Sequence, residues 1–355
     1  AEADVAVIFA GLPEIFESEG YDRTSMKLPK CQDRLIEEVL KVQPDVVVVL
    51  HNGSPVELPW ADRVSAILEM YLGGQGVGEA CDWLLFGEAN PSGRLAETFP
   101  YRLEDNPSFL HFPGNEKRVL YGEDIFVGYR YYDTKKVPVR YAFGHGLSYT
   151  EFTYGDLTLS SAQMTDEDIL TVSLKVKNSG KTEGKEVVQL YVADLCGTPE
   201  RPVKELKGFA KVHLLPGEEK TVSMEISARN LSYYEERLGD WYAPSGTYRI
   251  LIGHASDDIR LHADIVFKTK KKLPLRVDFT TTFGELLDHT KTAPVITELL
   301  APLAAAAASA EGMSDEYKKL GEQVIREMPL KFLLGQMPGE QVEQLIGQLN
   351  CLLAQ

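Results

Sequence analysis

A continuous run of β-branched residues, VVVVL at 46–50, constrains the fold more than any other feature of the sequence. The run does not alternate with polar residues, so it predicts a strand covered on both faces, as in a parallel sheet flanked by helices. Residues 4–10 predict a second buried strand, and apolar residues at helical spacing occupy 30–43 between the two. A third strand candidate at 65–72 leads through a glycine-rich turn into a helix at 80–86. This order predicts a parallel α/β sheet with right-handed crossovers.

Changes in composition and hydrophobic periodicity along the chain predict three domains. The first, 1–150, is α/β and incomplete at its N-terminus, because three strands are few for a sheet. Its residues 87–150 predict an irregular excursion that packs over the domain. Seven short strands separated by turn signals predict an immunoglobulin-like or fibronectin-type β-sandwich over 151–270. The remainder, 271–355, predicts a helical extension whose apolar residues are periodic, as in helices docked on a protein, with helices at 295–310, 314–327 and 339–354.

Charge and cysteine content restrict the partners of the chain. A net charge of −16 argues against nucleic acid and against an anionic membrane, and it favours a neutral, polar substrate. The four cysteines form no C-x-x-C pair, so neither a zinc site nor a disulfide framework is indicated, and a cytoplasmic location is the default expectation. We expect no metal and no cofactor. The sequence shows no signal peptide or long apolar span, and its opening inside a strand pattern suggests a truncated piece or removal of an initiator Met.

One acidic stretch, residues 11–29, follows the first predicted strand. It holds four carboxylates and one cation within a short distance: Glu14, Glu17, Glu19, Asp22 and Arg23. Open α/β sheets place ligands at the carboxyl ends of their strands, and crowded like charges raise the pKa of one carboxyl. A solvated acidic loop is the simpler interpretation, but Gly20 and the aromatic side chains of Phe16 and Tyr21 favour a functional loop. The residues alone do not choose between Glu17 and Glu19 as a proton donor.

Several longer motifs, together with the β-sandwich, resemble the C-terminal half of glycoside hydrolase family 3 enzymes, most closely the β-glucosidase branch. The resemblance covers about residues 1–268 in order. The matching stretches are ESEGYDRTSMKLP, VVVVLHNGSPVELPW, YLGGQGVGEACDWLLFGEANPSGRLAETFP, YGEDIFVGYRYYD, FGHGLSYTEF, EVVQLYVAD, RPVKELKGF and PSGTYRILIG.

This resemblance implies an architecture and a division of roles. In the family a (β/α)8 barrel carries the nucleophilic aspartate, and an α/β sandwich domain lends the acid/base glutamate on a loop over the barrel. A fibronectin type III-like domain follows in many members. The glutamate of the family's E-G-x-D-R segment falls on Glu19, with Glu17 as the main rival for this role. The neighbours that would bind substrate or shape the site are Glu17, Tyr21, Asp22 and Arg23. We expect Arg23 to pair with Asp22 or with a backbone carbonyl. The barrel motifs have no counterpart here, so the chain alone should not turn over substrate.

The resemblance therefore predicts the C-terminal portion of a retaining exo-β-glucosidase-type hydrolase. Its expected partners are a β-glucoside or short β-linked oligosaccharide and the family's barrel, from the same gene or a separate chain. Association of the chain into a homo-oligomer is also compatible with the sequence. The alternative is a non-catalytic carbohydrate-binding or structural module derived from that family.

Overall fold

The computed structural model describes residues 3–115, 117–198, 200–308 and 315–354. Contacts divide the chain into two compact units. The first runs to Tyr233 and resumes over Tyr242–Lys270, and the second comprises Tyr234–Trp241 and the residues from Lys271 onward. The residue boundaries of the three predicted domains stay a prediction.

The first unit begins with the predicted parallel sheet. Its strands lie in the order β1-β2-β3, with Ile8 opposite Val48 and Val48 opposite Ile67. Strand β2 lies between the others and is almost entirely buried, as its unbroken β-branched run requires. The elements are β1 (Ala6–Gly11), α1 (Lys30–Leu40), β2 (Val46–His51), β3 (Ala66–Glu69) and α2 (Val77–Phe86).

Strand β1 is buried on one face only, so the prediction of a fully buried strand at 4–10 is wrong for its other face. Ile8 and Ala10 are buried and share a core cluster with Ile36 of α1. Val7 and Phe9 point the other way and are 43% and 60% exposed. The exposure is confined to β1, because Val49 of β2, which lies opposite Phe9 on the same face, is fully buried.

The segment after α2 is irregular, as the fading periodicity predicts. Among the described residues it contains β4 (Phe99–Pro100), α3 (Tyr129–Lys135) and β5 (Val139–Tyr141), and β4 pairs with β5. The middle part of this excursion lines a cavity together with Arg23 and Ser54, but it also leaves apolar side chains exposed. Eight large apolar side chains there are exposed: Phe109, Leu110, Phe112, Val119, Leu120, Tyr121, Ile125 and Val127.

A β-sandwich follows in the same unit, and the predicted fold class, α/β plus all-β, is confirmed. One sheet has the order β10-β9-β14-β15-β7 and the other β11-β8-β6, and their inner faces share one apolar core. The elements are β6 (Phe152–Leu159), β7 (Gln163–Thr165), β8 (Ile169–Asn178), β9 (Gly184–Asp194), β10 (Glu205–Leu214), β11 (Glu219–Ser227), α4 (Ala228–Leu231), β14 (Gly246–Gly253) and β15 (Ile259–Lys268). Between α4 and β14 in the chain, β12 (Tyr233–Glu235) and β13 (Asp240–Tyr242) form a separate two-stranded sheet, most of which belongs to the second unit. The seven strands predicted for this region correspond to β6, β8, β9, β10, β11, β14 and β15, and the short β7 was not predicted.

A buried carboxylate joins the sandwich to the preceding α/β region. Glu186 on β9 is fully buried and accepts hydrogen bonds from Arg94 at 2.6 Å and from the Tyr154 hydroxyl at 2.5 Å. The Nδ1 atom of His254 lies 2.6 Å from the same carboxylate, and its Nε2 lies 2.9 Å from the Gly146 carbonyl oxygen. Burial raises the pKa of Glu186, but the bonds to His254 and Arg94 outweigh it and hold that pKa below its usual value.

The second unit is mainly helical. Its core is a cluster of buried side chains that includes Phe283, Ile296, Leu330 and Val342. The three predicted helices are present, although predicted positions 309, 310 and 314 lie outside the described residues. Within those residues no helix has the length and apolarity needed to cross a membrane. The helices are α5 (Phe283–Asp288), α6 (Ala293–Ala308), α7 (Asp315–Glu327) and α8 (Gly339–Ala354), with a 3₁₀ helix at Leu330–Gly335 that the sequence did not predict.

Candidate active site at the carboxyl edge of the sheet

Residues 12–29, here called the acidic loop, leave β1 at the carboxyl edge of the sheet. The amide of Leu12 donates to the His51 carbonyl oxygen at 3.0 Å, which fixes the outgoing end. At the returning end Met26 and Leu28 are buried, and the Met26 carbonyl accepts from the Glu57 amide at 2.8 Å. The tip of the acidic loop therefore stands between two anchored ends.

The predicted proton donor lies at this tip. Glu19, Tyr21 and Asp22 are exposed, and no side-chain hydrogen bond to the Glu19 carboxylate occurs within the described part of the chain. Gly20 has a φ of +96°, a conformation that favours glycine, so the chain reverses directly after Glu19. The Tyr21 hydroxyl donates back to the Glu14 carbonyl oxygen and closes the tip on itself.

Glu17 faces inward instead. Its carboxylate accepts hydrogen bonds from the Gly53 amide at 2.6 Å and the Ser54 hydroxyl at 2.7 Å, and it pairs with Arg23 at 3.2 Å. Burial raises the pKa of Glu17, but these donors outweigh it and hold the pKa below its usual value. We call Glu17, Arg23 and Ser54 the loop clamp.

Of its two expected partners Arg23 takes the second, a backbone carbonyl, and it does not pair with Asp22. The guanidinium binds Glu17 and the Ser54 hydroxyl, and it donates to the Pro55 carbonyl oxygen at 3.3 Å. The reason is tertiary: the turn after β2 lies against the acidic loop and offers better-placed acceptors than the neighbouring carboxylate.

Two further carboxylates lie at the same edge and were missed from the sequence. Glu69, the last residue of β3, accepts from the Tyr71 amide at 2.9 Å and the Asn52 side-chain amide at 3.2 Å. Burial first, and then the charges of Glu97 and Glu17, raise the pKa of Glu69 to about 7. Burial also raises the pKa of Glu97. A glutamate inside the apolar run SAILEMYL was the available signal, since a carboxylate seldom interrupts a buried strand without a role.

Glu69 gives a testable pH dependence. Its folded-state pKa, about 7, exceeds the ordinary 4.5, so the folded protein holds more protons and loses stability as pH rises through that interval. We expect this loss to be about 2–4 kcal/mol and to disappear in a Glu69→Gln variant. Urea unfolding of both proteins between pH 4.5 and 8 measures the difference in slope. Glu79→Gln, at an exposed position on α2, is the control; parallel curves for the wild-type and Glu69→Gln proteins would refute the assignment.

A cavity of about 410 Å³ opens beside the loop clamp. Arg23 and Ser54 line one part of it, and Glu97, Thr98 and Tyr132 line others. The Thr98 hydroxyl is buried and has no hydrogen-bond partner among the described residues. Such a lining suits ordered water or the hydroxyl groups of a small molecule.

Comparison with known proteins accounts for most of the first unit. Residues 1–149 match the glycosyl hydrolase family 3 C-terminal domain, and residues 186–256 match a fibronectin type III-like domain. The chain is 47% identical over 354 residues to thermostable beta-glucosidase B of Acetivibrio thermocellus, covering 99% of this chain and 46% of that protein. It is 46% identical over 275 residues to a beta-glucosidase of Kluyveromyces marxianus, covering 77% of this chain and 32% of that protein.

Solved structures show the same likeness. The crystal structure of the Kluyveromyces marxianus beta-glucosidase in complex with glucose matches with a TM-score of 0.71 and 44% identity, covering 75% of this chain and 32% of that one. The Bifidobacterium adolescentis GH3 beta-glucosidase matches with a TM-score of 0.77 and 39% identity, covering 83% and 43%. The chain thus spans less than half the length of these relatives.

Proposed function

Because the chain belongs to glycoside hydrolase family 3 and matches the C-terminal half of its β-glucosidases, we propose that it supplies the acid/base glutamate of a retaining exo-β-glucosidase. Glu19 is the proton donor and, later, the base. The exposure of this carboxylate at the tip of an anchored loop is the observation that carries the proposal. Glu17 is unsuited to the role because the protein already occupies its carboxylate with three donors.

The chemistry needs a second carboxylate. Retaining glycosidases place two carboxyl groups about 5–5.5 Å apart: one attacks the anomeric carbon, and the other protonates the leaving oxygen and then deprotonates water. We assign the attacking group to an aspartate on a (β/α)8 barrel in the N-terminal half of the complete enzyme. The substrate is a β-glucoside or a short β-linked oligosaccharide, while Tyr21, Asp22 and Arg23 shape the loop around the donor.

Two apolar surfaces of the first unit support a large protein partner. The outer face of β1 exposes Val7 and Phe9, and the excursion between Phe109 and Val127 exposes eight large apolar side chains. Exposed apolar side chains in such number are typical of protein interfaces. We propose that the barrel covers part of it. A homo-oligomer and a cytoplasmic location stay predictions.

Because the attacking aspartate is assigned to the barrel, we expect this chain alone to be inactive. We expect no hydrolysis of 4-nitrophenyl β-glucoside by the isolated chain, and hydrolysis when it is joined to the N-terminal half of the Acetivibrio thermocellus relative. The product is followed by nitrophenolate absorbance, with the relative's N-terminal half alone as the control. Turnover by the isolated chain would contradict the proposal. An inactive but folded hybrid that still binds glucosides would favour a non-catalytic carbohydrate-binding module.

A further inference from the structure

The loop clamp ties both ends of the acidic loop's tip to a single turn. Glu17 precedes Glu19 by two residues and Arg23 follows it by four, and both side chains bind Ser54. Arg23 also reaches the Pro55 carbonyl oxygen. Since the two sides of the tip are bonded to the same rigid point after β2, movement of the tip requires several of these bonds to break together.

The turn is shaped to receive the Glu17 carboxylate. A Cβ atom added to Gly53 would lie 3.1 Å from Glu17 Oε2 and 3.2 Å from its carboxyl carbon, so a side chain there would press on the carboxylate. The Gly53 amide donates to Glu17 Oε2 from this close approach, at 2.6 Å. Gly53 therefore permits a contact between segments 36 residues apart.

We propose that Glu17, Arg23 and Ser54 are positioning residues that hold the Glu19 carboxyl against the leaving oxygen of the substrate. The proposal rests on the proposed function of Glu19. In this role the clamp acts by limiting where the loop tip can lie. A misplacement of about 1 Å at a reacting group lowers the rate on the order of 10²-fold. Loss of the clamp should therefore lower the rate of proton transfer substantially.

Two substrates with different leaving groups can distinguish a defect in positioning Glu19 from a defect in folding. Phenyl β-glucoside needs a proton on its departing oxygen, whereas 2,4-dinitrophenyl β-glucoside departs without one. In the complete enzyme we expect Glu17→Ala to lower kcat/KM for the phenyl substrate by about 10- to 100-fold and to change the dinitrophenyl value by less than about 3-fold. Ser54→Ala keeps the Glu17–Arg23 pair but removes the hydroxyl's bonds to both residues. It should lower the phenyl value by about 5- to 30-fold, the worth of one to two hydrogen bonds.

The controls distinguish the possible failures. Glu38→Gln removes an exposed ion-pair partner on α1 and should leave both substrates unaffected, and Ser54→Thr should restore the value lost in Ser54→Ala. Equal loss on both substrates in Glu17→Ala and Ser54→Ala overturns the positioning role, because a merely structural defect does not depend on the leaving group. If Glu19→Ala itself shows no such dependence, the proposed function of Glu19 fails instead.

Discussion

In the complete enzyme, we expect Glu19→Ala to lower kcat for phenyl β-glucoside by about 10²- to 10⁴-fold, the usual contribution of a general acid–base group. The variant lacks both the proton for the leaving oxygen and the base that activates water. With an activated substrate such as 2,4-dinitrophenyl β-glucoside, the first step survives and the glycosyl–enzyme intermediate accumulates. Added azide should then restore turnover, because this anion attacks the anomeric carbon without a base and yields β-glucosyl azide.

The matched control is Glu14→Ala, which removes another exposed carboxylate from the acidic loop. We expect its kcat to stay within about 2-fold of wild type, since surface substitutions away from special features have small effects. Steady-state rates and identification of the azide product by mass spectrometry provide the measurement. Wild-type turnover in Glu19→Ala would remove Glu19 from the mechanism. Azide rescue in a Glu17→Ala variant but not in Glu19→Ala would transfer the role to Glu17.

The second large effect concerns the buried carboxylate between the sandwich and the α/β region. We expect Arg94→Met to destabilise the first unit by about 3–5 kcal/mol, because it leaves a fully buried Glu186 without its guanidinium. The Arg94→Met/Glu186→Gln double variant should recover most of the loss. Urea unfolding at pH 7 measures both free energies.

An exposed pair on the same sandwich is the control. Arg249→Met breaks a contact with Asp264 in which the side chains are 39% and 43% exposed, and we expect a loss below about 1 kcal/mol. The pH dependence has a definite sign. The pKa of Glu186 is depressed, so its pairing stabilises the protein above the unfolded-state pKa, and this contribution is lost as pH falls through the folded value. Equal losses for Arg94→Met and Arg249→Met would show that burial adds nothing to the first pair.

The sequence predicted the elements whose pattern is local. The run at 46–50 became the middle strand β2, and the three tail helices follow their apolar periodicity. The exposed face of β1 was missed because the sequence pattern of an apolar strand does not show whether its outer face is covered. The exposed residues between Phe109 and Val127 were missed for the same reason, since no periodicity distinguishes packed from unpacked irregular chain.

The candidate site was predictable only in part. The acidic loop and its place after a strand follow from the sequence, but the choice of Glu19 over Glu17 depended on the family resemblance. The structure adds the reason that Glu17 is occupied: its donors Gly53 and Ser54 lie 36 and 37 residues away. No local pattern reveals contacts at such separations. The raised pKa of Glu69 likewise comes from burial and from charges that only the folded sheet brings together.

The open side of β1 has a consequence for anyone who prepares this half by itself. Within the described residues β1 pairs only with β2, so the amide and carbonyl groups along its other side have no strand neighbour. The strand AVIFAG carries no charge and no proline, the two features that usually prevent an edge strand from pairing with another molecule. Molecules in concentrated solution can therefore pair along this edge, and we expect co-production with the proposed barrel partner to give more soluble material.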